Sequence, residues 1–145
     1  MDNRSIVALE FGEADQAMRI VSELSDLVSW FKVGKQLFTS TGPCIVEQLR
    51  EADKSVFLDL KFHDIPNTVG SAVASATAIG ANMINIHASG GIEMMKVANQ
   101  SAEEVSDRLG IPKPKLLGVT VLTSIDQSAF QNEFASSRTI SDQVA

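Results

Sequence analysis

The sequence predicts an α/β fold of parallel strands, and two observations carry that prediction. Short apolar runs alternate with amphipathic stretches along the chain, and no hairpin signal joins one apolar run to the next. Strands joined through helices run parallel, with right-handed crossovers. The runs are also apolar on both faces, as parallel strands covered by helices are. Two architectures fit: a doubly wound open sheet, or part of a (β/α)8 TIM barrel. No Gly-x-Gly-x-x-Gly follows the first strand, which weakens a dinucleotide-binding sheet. Polar residues close successive strands: Glu10, Lys32, Asp59 with Lys61, His87, and Thr123 with Ser124. That favours the barrel, which carries its chemistry at the C-terminal ends of its strands.

Each element has its own signal. Ile6 to Glu10 reads as a buried strand. Glu13 to Leu24 reads as a helix, with Ala14, Ala17, Met18, Val21 and Leu24 near helical spacing. Trp30 to Val33 is a second strand, ended by Gly34. Gly42-Pro43 punctuates the start of a helix from Pro43 to Ala52. Ser55 to Leu60 is the third strand. Pro66 heads a small-residue helix that runs to about Ile79 and stops at Gly80. Met83 to His87 is the fourth strand, and Gly90-Gly91 turns into a helix ending near Leu109. Leu116 to Leu122 is the fifth strand, after which the chain is polar and the signal weakens. Thr139 or Ser141 would cap a last helix that begins just before Ala145.

These strands would form an incomplete barrel of about five strands, because a whole barrel needs roughly 250 residues. Residues 1–145 read as a single domain, the N-terminal portion of such a barrel without its C-terminal strands. A truncated chain or partial gene product is the expectation, and a compact domain ending here is the alternative. An open sheet of this kind would expose unpaired strand edges and be prone to associate.

Composition narrows the function. The chain is 44% hydrophobic and 21% charged, ordinary for a globular protein. Its formal net charge of −6 argues against a broad nucleic-acid-binding surface, which would be basic. One small anionic ligand remains compatible, since a pocket can be locally positive. Cys44 is the only cysteine, so no internal disulfide forms, and no Cys/His cluster suggests a metal. Following Gly42-Pro43 and preceding apolar residues, Cys44 is expected to be a buried structural thiol. No signal peptide and no apolar run long enough for a membrane span is present, so a cytoplasmic protein is expected.

The most informative segment is Phe57-Leu58-Asp59-Leu60-Lys61-Phe62-His63-Asp64-Ile65-Pro66-Asn67-Thr68. Alternation along a strand sends Phe57, Asp59 and Lys61 to one side. Such a face leaves a core and enters a pocket. Buried charges are normally paired, so a structural ion pair and a catalytic pair both fit the spacing. Asp64 reads as a helix-capping residue or as a third member of the set. Lys32, at the end of the second strand, adds a cation, while Lys35 reads as a solvated or supporting charge. Two lysines and two aspartates in one pocket would hold one another ionised. A fixed array of that kind suits chemistry in which charge moves on the substrate.

Asp59-x-Lys61-x-x-Asp64, set in Leu-Asp-Leu-Lys-Phe-His-Asp-Ile-Pro-Asn-Thr, closely resembles the signature of the orotidine 5'-phosphate decarboxylase family. Phe31-Lys32-Val33-Gly34-Lys35 with Phe38 and Gly42-Pro43 resembles that family's second strand and loop. Asn85-Ile86-His87-Ala88-Ser89-Gly90-Gly91 resembles its fourth, and Val119-Thr120-Val121-Leu122-Thr123-Ser124 its fifth. The resemblance covers nearly the whole chain in the family's order. It implies a barrel that converts orotidine 5'-phosphate to UMP without metal or organic cofactor. Lys61 would protonate C6 of the pyrimidine as carbon dioxide leaves, and Asp59 would lie beside the departing carboxylate. Lys32 would contact the ribose and orient the array. Asp64 and Thr68 would reach across a homodimer interface into the partner's site. Thr123 and Ser124 would line the pyrimidine site, with Ser124 hydrogen-bonding the base. His63 and His87 are expected to be structural, because Lys61 fills the proton-donor role.

Two departures stand out. The family's first strand ends Ala-Leu-Asp, and this chain has Ala8-Leu9-Glu10. Glu10 would meet the ribose hydroxyls and Lys32 through one extra methylene, and a shift of about 1 Å can slow a reaction about a hundredfold. The family's phosphate-gripping Arg, Gln and backbone amides, carried on later loops, have no counterpart here, so the 145-residue chain alone is expected to be weakly active or inactive. Two alternatives stay open. One is a magnesium-dependent hexulose-phosphate synthase or keto-gulonate-phosphate decarboxylase relative. The other is a non-catalytic half-barrel that binds a partner through its open edges.

Overall fold

The computed structural model describes residues 5–134 and 136–145. Five strands, β1 (Ile6–Leu9), β2 (Trp30–Gly34), β3 (Ser55–Phe62), β4 (Met83–His87) and β5 (Lys115–Val119), form one sheet. All neighbouring pairs are parallel, and the order is β1-β2-β3-β4-β5. A doubly wound sheet reverses its strand order at a switch point. This sheet does not reverse, which is the order of a barrel. The fold is an α/β incomplete (β/α)8 barrel of five strands.

The helices are α1 (Ala14–Glu23), α2 (Lys35–Thr41), α3 (Cys44–Glu51), α4 (Pro66–Ala78), α5 (Ile92–Leu109), α6 (Gln127–Glu133) and α7 (Ile140–Val144). They divide the sheet into two unlike faces. Leu9, Phe31, Val33, Val56, Leu58, Ile84 and Ile86 are buried with Ala17, Val21, Ile45, Val46, Leu49, Val69, Val73 and Met94 of the helices. The register sets Ala8 beside Lys32, Lys32 beside Phe57, and Gly34 beside Asp59 on the other face. In-register neighbours share a face, so this second face carries the charges. A fully buried Leu, Val or Ile contributes roughly 1.5–3 kcal/mol. The helix-covered face therefore holds the fold, and the other face is free to be polar.

Two helices pack unusually closely. A Cβ placed on Gly70 of α4 would lie 2.7 Å from Val97 Cγ1 and 2.9 Å from Ser101 Oγ of α5. The run of small residues in α4 has this physical reason. Pro66 opens α4 at its first turn, where the missing N–H has no partner to lose.

The structure departs from the sequence reading in several places, and in β1 only Leu9 is buried. Lys35–Thr41 forms a helix, α2, where only a loop was expected. β5 stops at Val119 rather than Leu122, because its partner β4 ends at His87, opposite Val119. Asp126 caps α6 by accepting the Ala129 N–H at 2.8 Å, in a stretch whose sequence signal is weak. Cys44 is exposed rather than buried, since it sits at the first position of α3 while Ile45, Val46 and Leu49 take the inward face. The last helix is capped by Thr139, the first of the two expected caps, in a reciprocal capping box with Asp142. No helix among the described residues is long and apolar enough to cross a membrane.

Candidate active site

The C-terminal ends of β1, β2 and β3 deliver one continuous chain of alternating charge. Lys32 Nζ lies 2.7 Å from Glu10 Oε1 and 3.3 Å from Asp59 Oδ2. Lys61 Nζ lies 2.5 Å from Asp59 Oδ1. Asp59 is the deepest member, with 12% of its side chain exposed, and Glu10 the shallowest at 63%. Gly34 lies against this grouping: a Cβ there would stand in ordinary contact, 3.5 Å from Lys32 Nζ and 3.9 Å from Glu10 Oε1, so only a side chain larger than a methyl would crowd it.

The pair in β3 is held by a local break in the ladder. β3 pairs with β4 at Phe57 with Met83 and Leu58 with Ile84, then resumes at Phe62 with Ile86. Asp59, Leu60 and Lys61 therefore stand opposite Asn85 alone. Lys61 takes up the distortion with φ of 52°, the left-handed region. That conformation costs an ordinary L residue about 1–2 kcal/mol, so the surroundings must impose it. Asn85 supplies part of the imposition. Its side-chain oxygen accepts the Lys61 backbone N–H at 2.8 Å, and its amide donates to Asp59 Oδ1 at 2.6 Å.

The charges tune one another. Burial pushes the Asp59 carboxyl up. Hydrogen bonds from Lys61 and Asn85, with the Lys61 and Lys32 charges, outweigh it, so the group is held below its ordinary 3.8. Burial likewise pulls the Lys32 ammonium down, but the hydrogen bond and charge of Glu10 and the charge of Asp59 raise it above 10.5. Lys32 and Asp59 are thus both charged across the neutral range.

The remaining expected site residues lie around this array. Asp64 is exposed, and its carboxylate accepts the Ile65 N–H at 2.7 Å. Among the described residues it makes no ion pair with Lys32 or Lys61, so the second acid of the array is Glu10. Thr68 is exposed in the first turns of α4. Thr123 and Ser124 are exposed in a turn beyond β5, closed by the Ile125 N–H donating to the Leu122 carbonyl at 3.0 Å. Beside that turn, His63, His87, Thr120, Leu122, Ile125 and Phe130 line a cavity of about 270 Å³. The His63 and His87 rings stack with centroids 5.0 Å apart. Burial, then the charges of His63, Lys35 and Lys61, holds His87 below its ordinary 6.5.

Asn85 is the site residue that the sequence reading passed over. Its signal was a polar side chain at the centre of Met-Ile-Asn-Ile-His, in a strand otherwise apolar until its end. Asn85 is 4% exposed.

Residues 3–145 match the family model described as "Orotidine 5'-phosphate decarboxylase / HUMPS family". The chain belongs to that family. It is 46% identical over 142 residues to orotidine 5'-phosphate decarboxylase of Synechococcus sp. (strain CC9605), covering 98% of this chain and 58% of that protein. It is 47% identical over 131 residues to the Carboxydothermus hydrogenoformans enzyme of the same name, covering 90% of this chain and 54% of that protein. The crystal structure of orotidine 5'-phosphate decarboxylase from Lactobacillus acidophilus superposes with a TM-score of 0.90 at 36% identity. That match covers 99% of this chain and 64% of the other. The chain thus spans between half and two thirds of the length of these decarboxylase-family relatives. Asp59, Lys61 and Asp64 all lie within the matched span, at the end of β3 and in the loop after it.

Proposed function

We propose that the protein decarboxylates orotidine 5'-phosphate to UMP, the last step of building a pyrimidine nucleotide, in the cytoplasm and without a metal or organic cofactor. The observation that carries this reading is the Lys61 ammonium held against Asp59, with Lys32 on the other oxygen of the same carboxylate. In this reaction the bond between C6 and the carboxylate breaks, and its electron pair stays on C6. Carbon dioxide leaves, and Lys61 Nζ gives C6 a proton. An ammonium fixed at the carbon that gains negative charge stabilises the transition state more than the ground state. Asp59 keeps that ammonium in place and lies beside the departing carboxylate. Lys32 and Glu10 take the ribose, and Lys32 ties the two acids together. Thr123 and Ser124 meet the base from the turn beyond β5. Asp64 and Thr68, both exposed, serve the site of a second copy in a homodimer.

A magnesium-dependent sugar-phosphate reaction is the reading that competes within the family. Such an enzyme needs acidic side chains free to hold the ion. Here the Lys32 ammonium occupies the space between Glu10 and Asp59, which supports the metal-independent chemistry. The test is UMP formation from orotidine 5'-phosphate by the purified protein, in EDTA and in magnesium, with the Lys61→Ala variant alongside. The expected result is UMP formation insensitive to EDTA and lower by at least about a hundredfold in Lys61→Ala, the low end of what a positioned acid contributes. Turnover that requires magnesium, or that survives Lys61→Ala, would overturn the proposal.

A further inference from the structure

We infer that Asn85 is a positioning residue, a single amide that fixes the Asp59 carboxylate and the Lys61 backbone relative to each other; its catalytic consequence rests on the decarboxylase reading above. The inference stands on the ladder geometry. Where three residues of β3 face one of β4, the Lys61 N–H has lost the strand carbonyl that a regular parallel ladder would offer. The Asn85 side-chain oxygen takes that place at 2.8 Å. The amide nitrogen of the same side chain donates to Asp59 Oδ1 at 2.6 Å. Its orientation is unambiguous, because a backbone N–H only donates and a carboxylate only accepts.

Asn85 therefore joins the two ends of the distortion. It holds Lys61 in the left-handed conformation that turns its side chain back onto Asp59. It also stops Asp59 from rotating, since Oδ1 is shared with Lys61 Nζ while Oδ2 faces Lys32. Asn85 is buried in the sheet at 4% exposure and has no direct part in proton transfer. Without it, the Lys61 N–H would be an unsatisfied donor in a partly buried strand, and the cheapest relief is to straighten β3 and move Lys61 Nζ away from Asp59.

Two variants test this. Asn85→Ala removes both hydrogen bonds. Asn85→Asp keeps the shape and the acceptor for Lys61 but puts a second carboxylate against Asp59, so that the two acids compete for a proton. The direct readout is the 13C-NMR titration of the Asp59 side-chain carboxyl, which requires no turnover. In both variants the midpoint is expected to rise by about one pH unit or more, the size of a lost hydrogen bond to a charged group. With orotidine 5'-phosphate, kcat is expected to fall about a hundredfold with KM little changed, as for a misplaced catalytic group. Should Asn85→Ala not fold, Asn85→Asp decides alone. An Asp59 midpoint that stays where it is in the folded variant, with stability alone reduced, would overturn the inference. Turnover of orotidine 5'-phosphate that does not depend on Lys61 would sink the decarboxylase reading instead, and the NMR midpoint would still decide the role of Asn85.

Discussion

Asp59 carries two cations, one on each oxygen, and this makes its replacement more disruptive than loss of one ion pair. In Asp59→Asn the Lys32 and Lys61 ammoniums face each other without the charge that separates them. Removing one partner from a partly buried charged set costs more than the pair is worth, because the remaining charge is left uncompensated. Under the proposed decarboxylase reading, UMP formation by Asp59→Asn is expected to fall at least about a hundredfold. Glu10→Gln is expected to be mild for folding. The Glu10 side chain is 63% exposed, and exposed ion pairs contribute about 0–1 kcal/mol. A urea midpoint shifted by more than that would show Glu10 to be structural. At Gly34, space rather than charge decides. A valine there would press its branches toward Lys32 Nζ, so Gly34→Val should separate Lys32 from Asp59 and depress activity while a circular dichroism spectrum stays unchanged.

At the scale of elements, α4 and α5 meet at Gly70 with no room for a methyl group. Gly70→Ala is expected to destabilise the fold by about 1–3 kcal/mol, the usual cost of overpacking, read as a lower denaturant midpoint. An unchanged midpoint would show that α5 moves aside freely. The same scale explains what could be read from the sequence. Strands β2, β3 and β4 lie between helices and are apolar on the face that meets them, so their runs stand out. β1 is short, but Ile6-Val7-Ala8-Leu9 is still unbroken. α2 escaped because Lys-Gln-Leu-Phe-Thr-Ser-Thr is under two turns long and carries no cap, and Ser40 and Thr41 donate back to the Leu37 carbonyl within it. The end of β5 was misplaced because apolar Val121 and Leu122 continue the run, although no strand remains beside them. The Asp59–Lys61 pairing was legible from alternation. The φ of Lys61 and the Asn85 contacts were not, because a ladder irregularity depends on a neighbouring strand.

For the whole molecule, ionisation sets the pH range of stability. Asp59 has a lowered pKa, so its contribution is present above about 3.8 and is lost as pH falls through the folded-state value. His87 is also lowered, so its contribution is present above about 6.5 and fades first on acidification. Lys32 is raised, so its contribution is present below about 10.5 and is lost as pH rises through the folded-state value. The urea midpoint is expected to be flat from about pH 7 to 10, to decline in two stages toward acid, and to fall again above 10.5. A maximum at acidic pH would contradict these assignments. β1 and β5 are the outer strands of the sheet, and Ile6 and Leu117 on its uncovered face are 42% and 41% exposed. Unpaired edges and exposed apolar side chains promote association, so sedimentation is expected to show a weight-average mass that rises with concentration.

The proposed reading requires one small anionic pyrimidine to be held by opposite-signed side chains from neighbouring strand ends. A crystal structure of the protein with a UMP-like inhibitor decides whether it is. The expected result is Lys61 Nζ within about 4 Å of both Asp59 and pyrimidine C6, with Lys32 on the ribose. A Lys61 ammonium turned to bulk water, away from Asp59 and Lys32, or an inhibitor bound on the helix-covered face, would contradict it.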